Sequence, residues 1–262
     1  MKIRIFATMN KVEARQEEIR NILSMTDSIR VEILAKRLDV TGATIRSDLR
    51  EMEHRHEIYR SRGGVSLARP LIVDKNVNEK IFINASAKTK IAAAAATLID
   101  SNDIILLTSG STIEILARTL NPKGKLTVVT PSVAVSHILS DNDNMNIFML
   151  GGMVRHTSCS VRDDYTYKGL ENVCCNKIFF GCDGFDFGTG VITATGEEAR
   201  LTSHMMKTCG KHILLTDSSK FGKTGFGKIC DLRDLDIIIC DSDIPEKVRS
   251  RLEELGIKVI IV

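Results

Sequence analysis

The 262-residue sequence has no CxxC pair, no internal repeat and no low-complexity tract beyond one run of alanines. No apolar run approaches the roughly 18 residues of a membrane span, so no membrane partner is expected. Seven cysteines, Cys159, Cys174, Cys175, Cys182, Cys209, Cys230 and Cys240, are odd in number and unevenly spaced. That excludes a regular disulfide framework and the paired spacing of a zinc site, and it points to reduced thiols in a cytoplasm. The opening MKIRIFATMNKVEARQEE has only a short apolar patch before charged residues, unlike a cleaved signal peptide. No metal and no cofactor are expected.

What is present is an ordinary globular composition, 43% hydrophobic, with enough length for one large or two modest cores. Net charge is only +3, but its distribution is uneven. Residues 1–69 hold 14 Lys and Arg against 10 Asp and Glu, and the remainder holds 22 against 23. A basic amino-terminal piece on a neutral body suits a nucleic-acid reader carried by a larger domain.

Ile19, Ile22 and Leu23 mark one face of a helix over roughly residues 13–25, and Leu34, Ala35 and Leu38 do the same for RVEILAKRL. DVT then turns the chain, with Asp39 at the position where a positive φ is expected. Thr41 caps the next helix, whose buried face is Ile45, Leu49 and Met52. EIYRSRGGVSL alternates and breaks at Gly63-Gly64, as a β-hairpin does. Helix, short turn, helix and hairpin predict a winged helix-turn-helix over residues 12–67. Residues 68–80, without clear period, read as a linker.

Over 81–262 helical stretches alternate with apolar runs: DIILLT, KLTVVT, NIFMLGG, KIFFGCDG, KHILLTD, LDIIIC and KVIIV. Continuous apolar strands are buried on both faces, which predicts an α/β domain with a mainly parallel sheet.

In a helix-turn-helix the second helix enters the major groove. With Ile45, Leu49 and Met52 inward, its outward residues are Ala43, Thr44, Arg46, Ser47 and Arg50. Arg46 and Arg50 lie one turn apart, and arginine suits bidentate contact with guanine. Arg60 and Arg62 on the hairpin suit phosphates. In the second domain, TSGST (Thr108 to Thr112) runs from a strand end into a helix, an arrangement that favours anions. Gly151-Gly152, Asp183-Gly184, Glu197 with Glu198, and Asp217 with Lys220 also fall at strand ends, where ligands bind in open parallel sheets.

RQEEIRNIL, VEILAKRLDVTGATIRSDLREME and RSRGGV resemble the signature of the DeoR family of bacterial transcriptional regulators, and the resemblance continues through GCDGFDFGTGVITATGEEA and LLTDSSKFGK. It implies a carboxy-terminal domain similar in fold to ribose-5-phosphate isomerase, a double-stranded DNA operator, a phosphorylated sugar effector and repression of a carbohydrate catabolic operon. The candidate DNA-binding residues are Thr41, Thr44, Arg46, Ser47, Arg50, Arg60 and Arg62. By motif position the resemblance implicates Ser109, Gly110, Ser111 and Thr112 in phosphate binding, with Lys88, Asp183, Glu197 and Lys220 around the effector, and Gly151 and Gly152 join the candidates by their place at a strand end. Ser47 stands where the family usually has arginine, Arg62 where it often has histidine, Thr108 for a common aspartate and Pro131 for a common asparagine. These departures leave the operator and the effector's hydroxyl contacts open. Paired half-sites imply a homo-oligomer, dimer or tetramer.

Two other classes compete. An isomerase-like enzyme needs a positioned carboxylate, which Asp183 or Glu197 supplies. Against it, the isomerases' second aspartate, glycine-rich turn and Glu-Lys are not found together after Asp183-Gly184. A sugar-phosphate-sensing module whose basic head binds an acidic protein is the non-enzyme, non-DNA alternative.

Overall fold

The structure, a computed structural model, describes residues 11–26, 28–55, 57–61, 64–67 and 72–262. It divides into two compact units, Met1–Pro70 and Leu71–Val262.

The smaller unit contains α1 (Lys11–Ser24), α2 (Val31–Arg37), α3 (Gly42–His54) and an antiparallel hairpin of β1 (Ile58–Ser61) and β2 (Gly64–Leu67). Ile19, Leu23, Leu34, Ile45, Leu49, Met52, Ile58 and Val65 form its core, each no more than 2% exposed. Every such side chain contributes roughly 1.5–3 kcal/mol of transfer free energy. Asp39 takes the left-handed conformation at φ 52°, and Thr41 caps α3 by accepting from the Thr44 amide at 3.2 Å. Ile29 and Val65 exchange two backbone hydrogen bonds of 2.9 Å, adding a bridge to the hairpin. Gly64, at φ 149°, makes that approach possible, since a Cβ there would stand 2.8 Å from the Ile29 carbonyl oxygen.

The apolar pattern of α3 does not disclose its buried charge. Asp48, 3% exposed, lies on the core side of the helix. Arg15 of α1 donates to both its carboxylate oxygens, through Nε at 2.5 Å and a terminal nitrogen at 2.9 Å. Gln16 extends the clamp, donating to Glu51 at 3.0 Å and accepting from Arg55 at 2.5 Å.

The larger unit begins with α4 (Val77–Lys80) and α5 (Ala85–Ala96), followed by β3 (Ile104–Leu107), α6 (Ser111–Thr119), β4 (Leu126–Thr130), α7 (Val133–Leu139) and β5 (Met145–Met149). A hairpin of β6 (Val154–Arg155) and β7 (Ser160–Val161) leads to α8 (Asp164–Leu170) and β8 (Cys175–Gly181). Then come β9 (Gly184–Asp186), β10 (Gly190–Thr193), α9 (Gly196–Met206), β11 (Cys209–Leu215) and β12 (Gly227–Cys230). The chain closes with β13 (Ile237–Cys240), α10 (Glu246–Glu254) and β14 (Lys258–Ile261).

Seven parallel strands form the main sheet in the order β14-β13-β11-β8-β3-β4-β5, and they coincide with the seven apolar runs. Ile105, Leu107, Phe179, Ile213, Leu215, Ile237 and Ile239 pack in one core with α5, α6 and α7. The alternate residues Leu106, Ile178, Phe180, Leu214 and Ile238 are equally buried, which is why the runs are continuously apolar. The apolar runs did not reveal a small antiparallel sheet, β12-β10-β9, whose strands have three or four residues each.

The expected linker is shorter than 68–80. Residues 72–80 belong to the larger unit: Ile72 N donates to Thr224 O and Val77 N to Thr157 O, both at 2.8 Å, and Val77–Lys80 is helical. A weakly periodic stretch can be ordered by backbone bonds to distant loops, which no local pattern reports.

Breaking a buried ion pair strands the remaining charge, at a cost of roughly 3–5 kcal/mol. Arg15→Met is therefore expected to lower the urea midpoint of the smaller unit's unfolding, whereas Arg46→Ala, on the exposed side of α3, leaves that midpoint in place.

Candidate functional site

Two surfaces carry the candidate functional residues. On α3, Ala43, Arg46, Ser47 and Arg50 are exposed and Thr44 is half-buried, opposite the face that holds Ile45, Asp48, Leu49 and Met52. The Arg46 guanidinium folds back over the start of α3, 3.3 Å from where a Gly42 Cβ would stand and 3.5 Å from Glu32 of α2. Arg60 on β1 is exposed and lies 3.6 Å from Glu53. Such exposed pairs are worth at most about 1 kcal/mol and are readily exchanged for a phosphate or a base. Arg62 lies outside the described residues.

In the larger unit the strand order reverses between β3 and β8. From β3 the chain moves outward to β4 and β5, then returns to β8 on the other side and continues to β11, β13 and β14. The loops leaving β3 and β8 therefore diverge, and a crevice opens beyond their carboxyl ends. A cavity of about 60 Å³ lies there, several times the roughly 10–15 Å³ that one water needs.

One wall is the start of α6. Gly110 precedes it at φ 123°, a conformation that strains any other residue, and offers no side chain to cap the helix. Ser111, Thr112 and Ile113, whose amides have no intrahelical partner, line the cavity together with Ser109. Unpaired N–H groups at a helix start favour an anion.

Lys80, Lys88 and Lys220 face this wall, and Asp183, Glu198 and Asp217 lie among them. Lys80 Nζ is 2.8 Å from Asp183 Oδ1, and Lys220 Nζ is 3.9 Å from the same atom. Asp183 Oδ2 accepts from Thr193 Oγ1 at 3.0 Å and from the Ala194 amide at 3.3 Å. Burial alone would push the Asp183 carboxyl up, but the two lysines and these hydrogen bonds hold it below its ordinary value. Glu198 is pushed up, by burial and by Asp183, against Lys80 and Arg155. Asp217 accepts from Asn84 at 2.9 Å and from the Ser219 hydroxyl at 2.5 Å. Lys88, only 4% exposed, donates to the Lys80 carbonyl oxygen. Burial lowers its pKa to about 8, with Asp217 opposing and Lys220 and Lys80 adding to the effect. Burial holds the Cys182 thiol at about 12, so it is not a nucleophile near neutral pH.

Of the residues expected from the sequence, Lys88, Ser109, Gly110, Ser111, Thr112, Asp183 and Lys220 line one cavity. Three of the expected residues fall elsewhere. Glu197 is exposed and pairs with Arg162 at 3.0 Å, while Glu198, one residue on, enters the cavity. A single step around a helix turns a side chain by about 100°, so the pair Glu197-Glu198 could not be divided without knowing how α9 packs. Gly151 and Gly152 do not line the cavity. The Gly151 carbonyl accepts from Thr166 Oγ1 at 2.8 Å, and a Cβ on Gly152 would meet Thr166 and Asp163, so this turn holds the start of α8. Lys80 was missed because it lay in the supposed linker.

An aspartate does follow Asp183 closely. Asp186 accepts from the Gly188 and Thr189 amides, both at 2.7 Å, and so ties the turn after β9.

A winged helix-turn-helix bearing exposed arginines, in one chain with an anion-favouring α/β unit, defines a two-unit ligand-sensing DNA-binding protein. The family model described as the DeoR-like helix-turn-helix domain matches residues 15–70, and that described as the DeoR C terminal sensor domain matches residues 83–242. The chain belongs to the DeoR family of transcriptional regulators. It is similar to an uncharacterized HTH-type transcriptional regulator, YulB, of Bacillus subtilis (strain 168), with 33% identity covering 96% of this chain and 97% of that one. The lactose phosphotransferase system repressor of Streptococcus mutans is 32% identical, covering 90% of this chain and 95% of its own. Among solved structures, ribose 5-phosphate isomerase A from Neisseria gonorrhoeae aligns at TM-score 0.38 and 18% identity, over 52% of this chain and 53% of that one. No helix among the described residues is long and apolar enough to cross a membrane.

An anion in the cavity favours the charged form of Lys88, so its pKa is higher with ligand than without. Affinity is then full below about 8 and falls as pH rises through that value, by up to about tenfold per unit. Inorganic phosphate, titrated calorimetrically into the full chain, is expected to bind several-fold more weakly at about pH 9.5 than at about pH 8. The same titration of Lys88→Met is expected to be weak and nearly independent of pH.

Proposed function

We propose that this regulator is a repressor of a carbohydrate catabolic operon, that its winged unit binds double-stranded operator DNA through α3, and that a phosphorylated sugar in the β3/β8 cavity controls it. The observation carrying this reading is the cavity itself, where an uncapped helix start and three lysines meet at the strand-order reversal. The α6 amides and Lys220 suit the phosphoryl group, and the carboxylates suit sugar hydroxyls. The relative named a lactose phosphotransferase system repressor supports a sugar-related role.

On DNA, Arg46, Ser47 and Arg50 read the major groove, Thr41 and Thr44 lie at the start of the same helix, and Arg60 and Arg62 hold phosphates. Paired heads on paired half-sites require a homo-oligomer, a dimer or tetramer, working in the cytoplasm where the operator is. The sugar acts as an effector only if it binds the DNA-competent and DNA-incompetent states with different affinity.

An isomerase-like reaction through Asp183 would need it as an accessible base. Its carboxylate is instead engaged by Lys80, Thr193 and the Ala194 amide, which favours a binding role.

A thermal-shift screen of sugar phosphates on the full chain is expected to raise the melting temperature for at least one of them, since a ligand of the folded state stabilises it by mass action. No shift with any sugar phosphate would reject the effector class. Once an operator is in hand, Arg46→Ala is expected to weaken it by about 1–3 kcal/mol and to relax preference at one base pair. Uniform weakening over all sequences would assign Arg46 to a phosphate.

A further inference from the structure

The segment 72–80 enters the larger unit directly after the winged unit in the chain, and its last residue, Lys80, lines the cavity. Ile72 N donates to Thr224 O at 2.8 Å, and its side chain occupies the space beside Gly184 and Gly225, where a Cβ would lie 3.0 Å and 2.9 Å from Ile72 Cδ1. Asp74 pairs with Arg155. Val77 N donates to Thr157 O at 2.8 Å. Lys80, at the end of the segment, reaches Asp183 with its ammonium and accepts from Lys88 Nζ with its carbonyl.

Two of these fastenings lead into the cavity itself. Lys80 is held at both its side chain and its main chain by cavity residues, Asp183 and Lys88. Arg155, which holds Asp74, also lies 3.8 Å from Glu198, a further lining carboxylate. The strap is therefore latched by the charges that an anionic ligand would rearrange.

We propose that residues 72–80 are a ligand-released strap with Lys80 as its latch, so that an anion in the cavity loosens the segment joining it to the DNA-binding unit. This rests on the reading of the cavity as an anion site. A phosphoryl dianion at the start of α6 competes with Asp183 for the Lys80 ammonium and with the Lys80 carbonyl for Lys88. The first exchange turns the Lys80 ammonium from Asp183 to the ligand, and the second withdraws the Lys88 ammonium from the strap's carbonyl. Lys80 is a positioning residue here, and the strap supplies the element whose two states the ligand binds with different affinity.

Hydrogen exchange of the full chain, read by mass spectrometry with and without saturating inorganic phosphate, tests the proposal. Slower exchange over residues 109–116 reports that phosphate occupies the start of α6. With that signal present, residues 72–81 are expected to exchange about threefold faster or more. In Lys80→Gln the strap is expected to exchange fast without phosphate and to change little on its addition, and a phosphate-induced acceleration as large as in the unaltered chain would overturn Lys80 as the latch. Slowing at 109–116 with unchanged or slower exchange at 72–81 overturns the strap while leaving the anion site standing. No slowing at 109–116 rejects the anion site and the strap with it.

Discussion

The reversal of strand order between β3 and β8 is the constraint from which the larger unit's chemistry follows. Two parallel neighbours whose continuations leave in opposite directions cannot close the space beyond their ends with apolar side chains. The gap exposes the start of α6 and the loop after β8, both rich in polar groups, and these need partners. The chain meets that need with ion pairs and neutral hydrogen bonds, Lys80 and Lys220 on Asp183 and Asn84 and Ser219 on Asp217. Each charge satisfies a neighbour in a half-buried place, and the same arrangement makes the cavity responsive to any further charge placed in it.

The smaller unit divides its labour between the two sides of one helix. The inner side of α3 holds three apolar side chains and one buried carboxylate, Asp48, which Arg15 satisfies from α1. The outer side holds Arg46 and Arg50 in solvent, with no share in the core. Core packing and the exposed arginines therefore sit on different residues of the same thirteen-residue helix and can be altered separately.

Physical continuity between the site and the chain leading to the DNA-binding unit is short. Residues 72–80 touch the loop bearing Thr224, the hairpin bearing Thr157 and the cavity's own Asp183 and Lys88. Two ion pairs, Asp74 with Arg155 and Lys80 with Asp183, are among the contacts that hold this segment.

Much of this was legible without coordinates. The seven buried strands, the helix-turn-helix with its Asp39 turn and Thr41 cap, and the anion-favouring TSGST loop follow from periodicity and from side chains whose conformational preferences are local. Those signals act over a few residues and survive in the sequence alone. The partnerships of Lys80 with Asp183, 103 positions apart, and of Arg15 with Asp48, 33 apart, do not, because tertiary packing brings those residues together. The choice between Glu197 and Glu198, and the placement of Gly151-Gly152 beside α8 rather than in the cavity, were also decided by packing. A repeating pattern tells which side of an element is buried, but only the assembled sheet decides which of its ends meet.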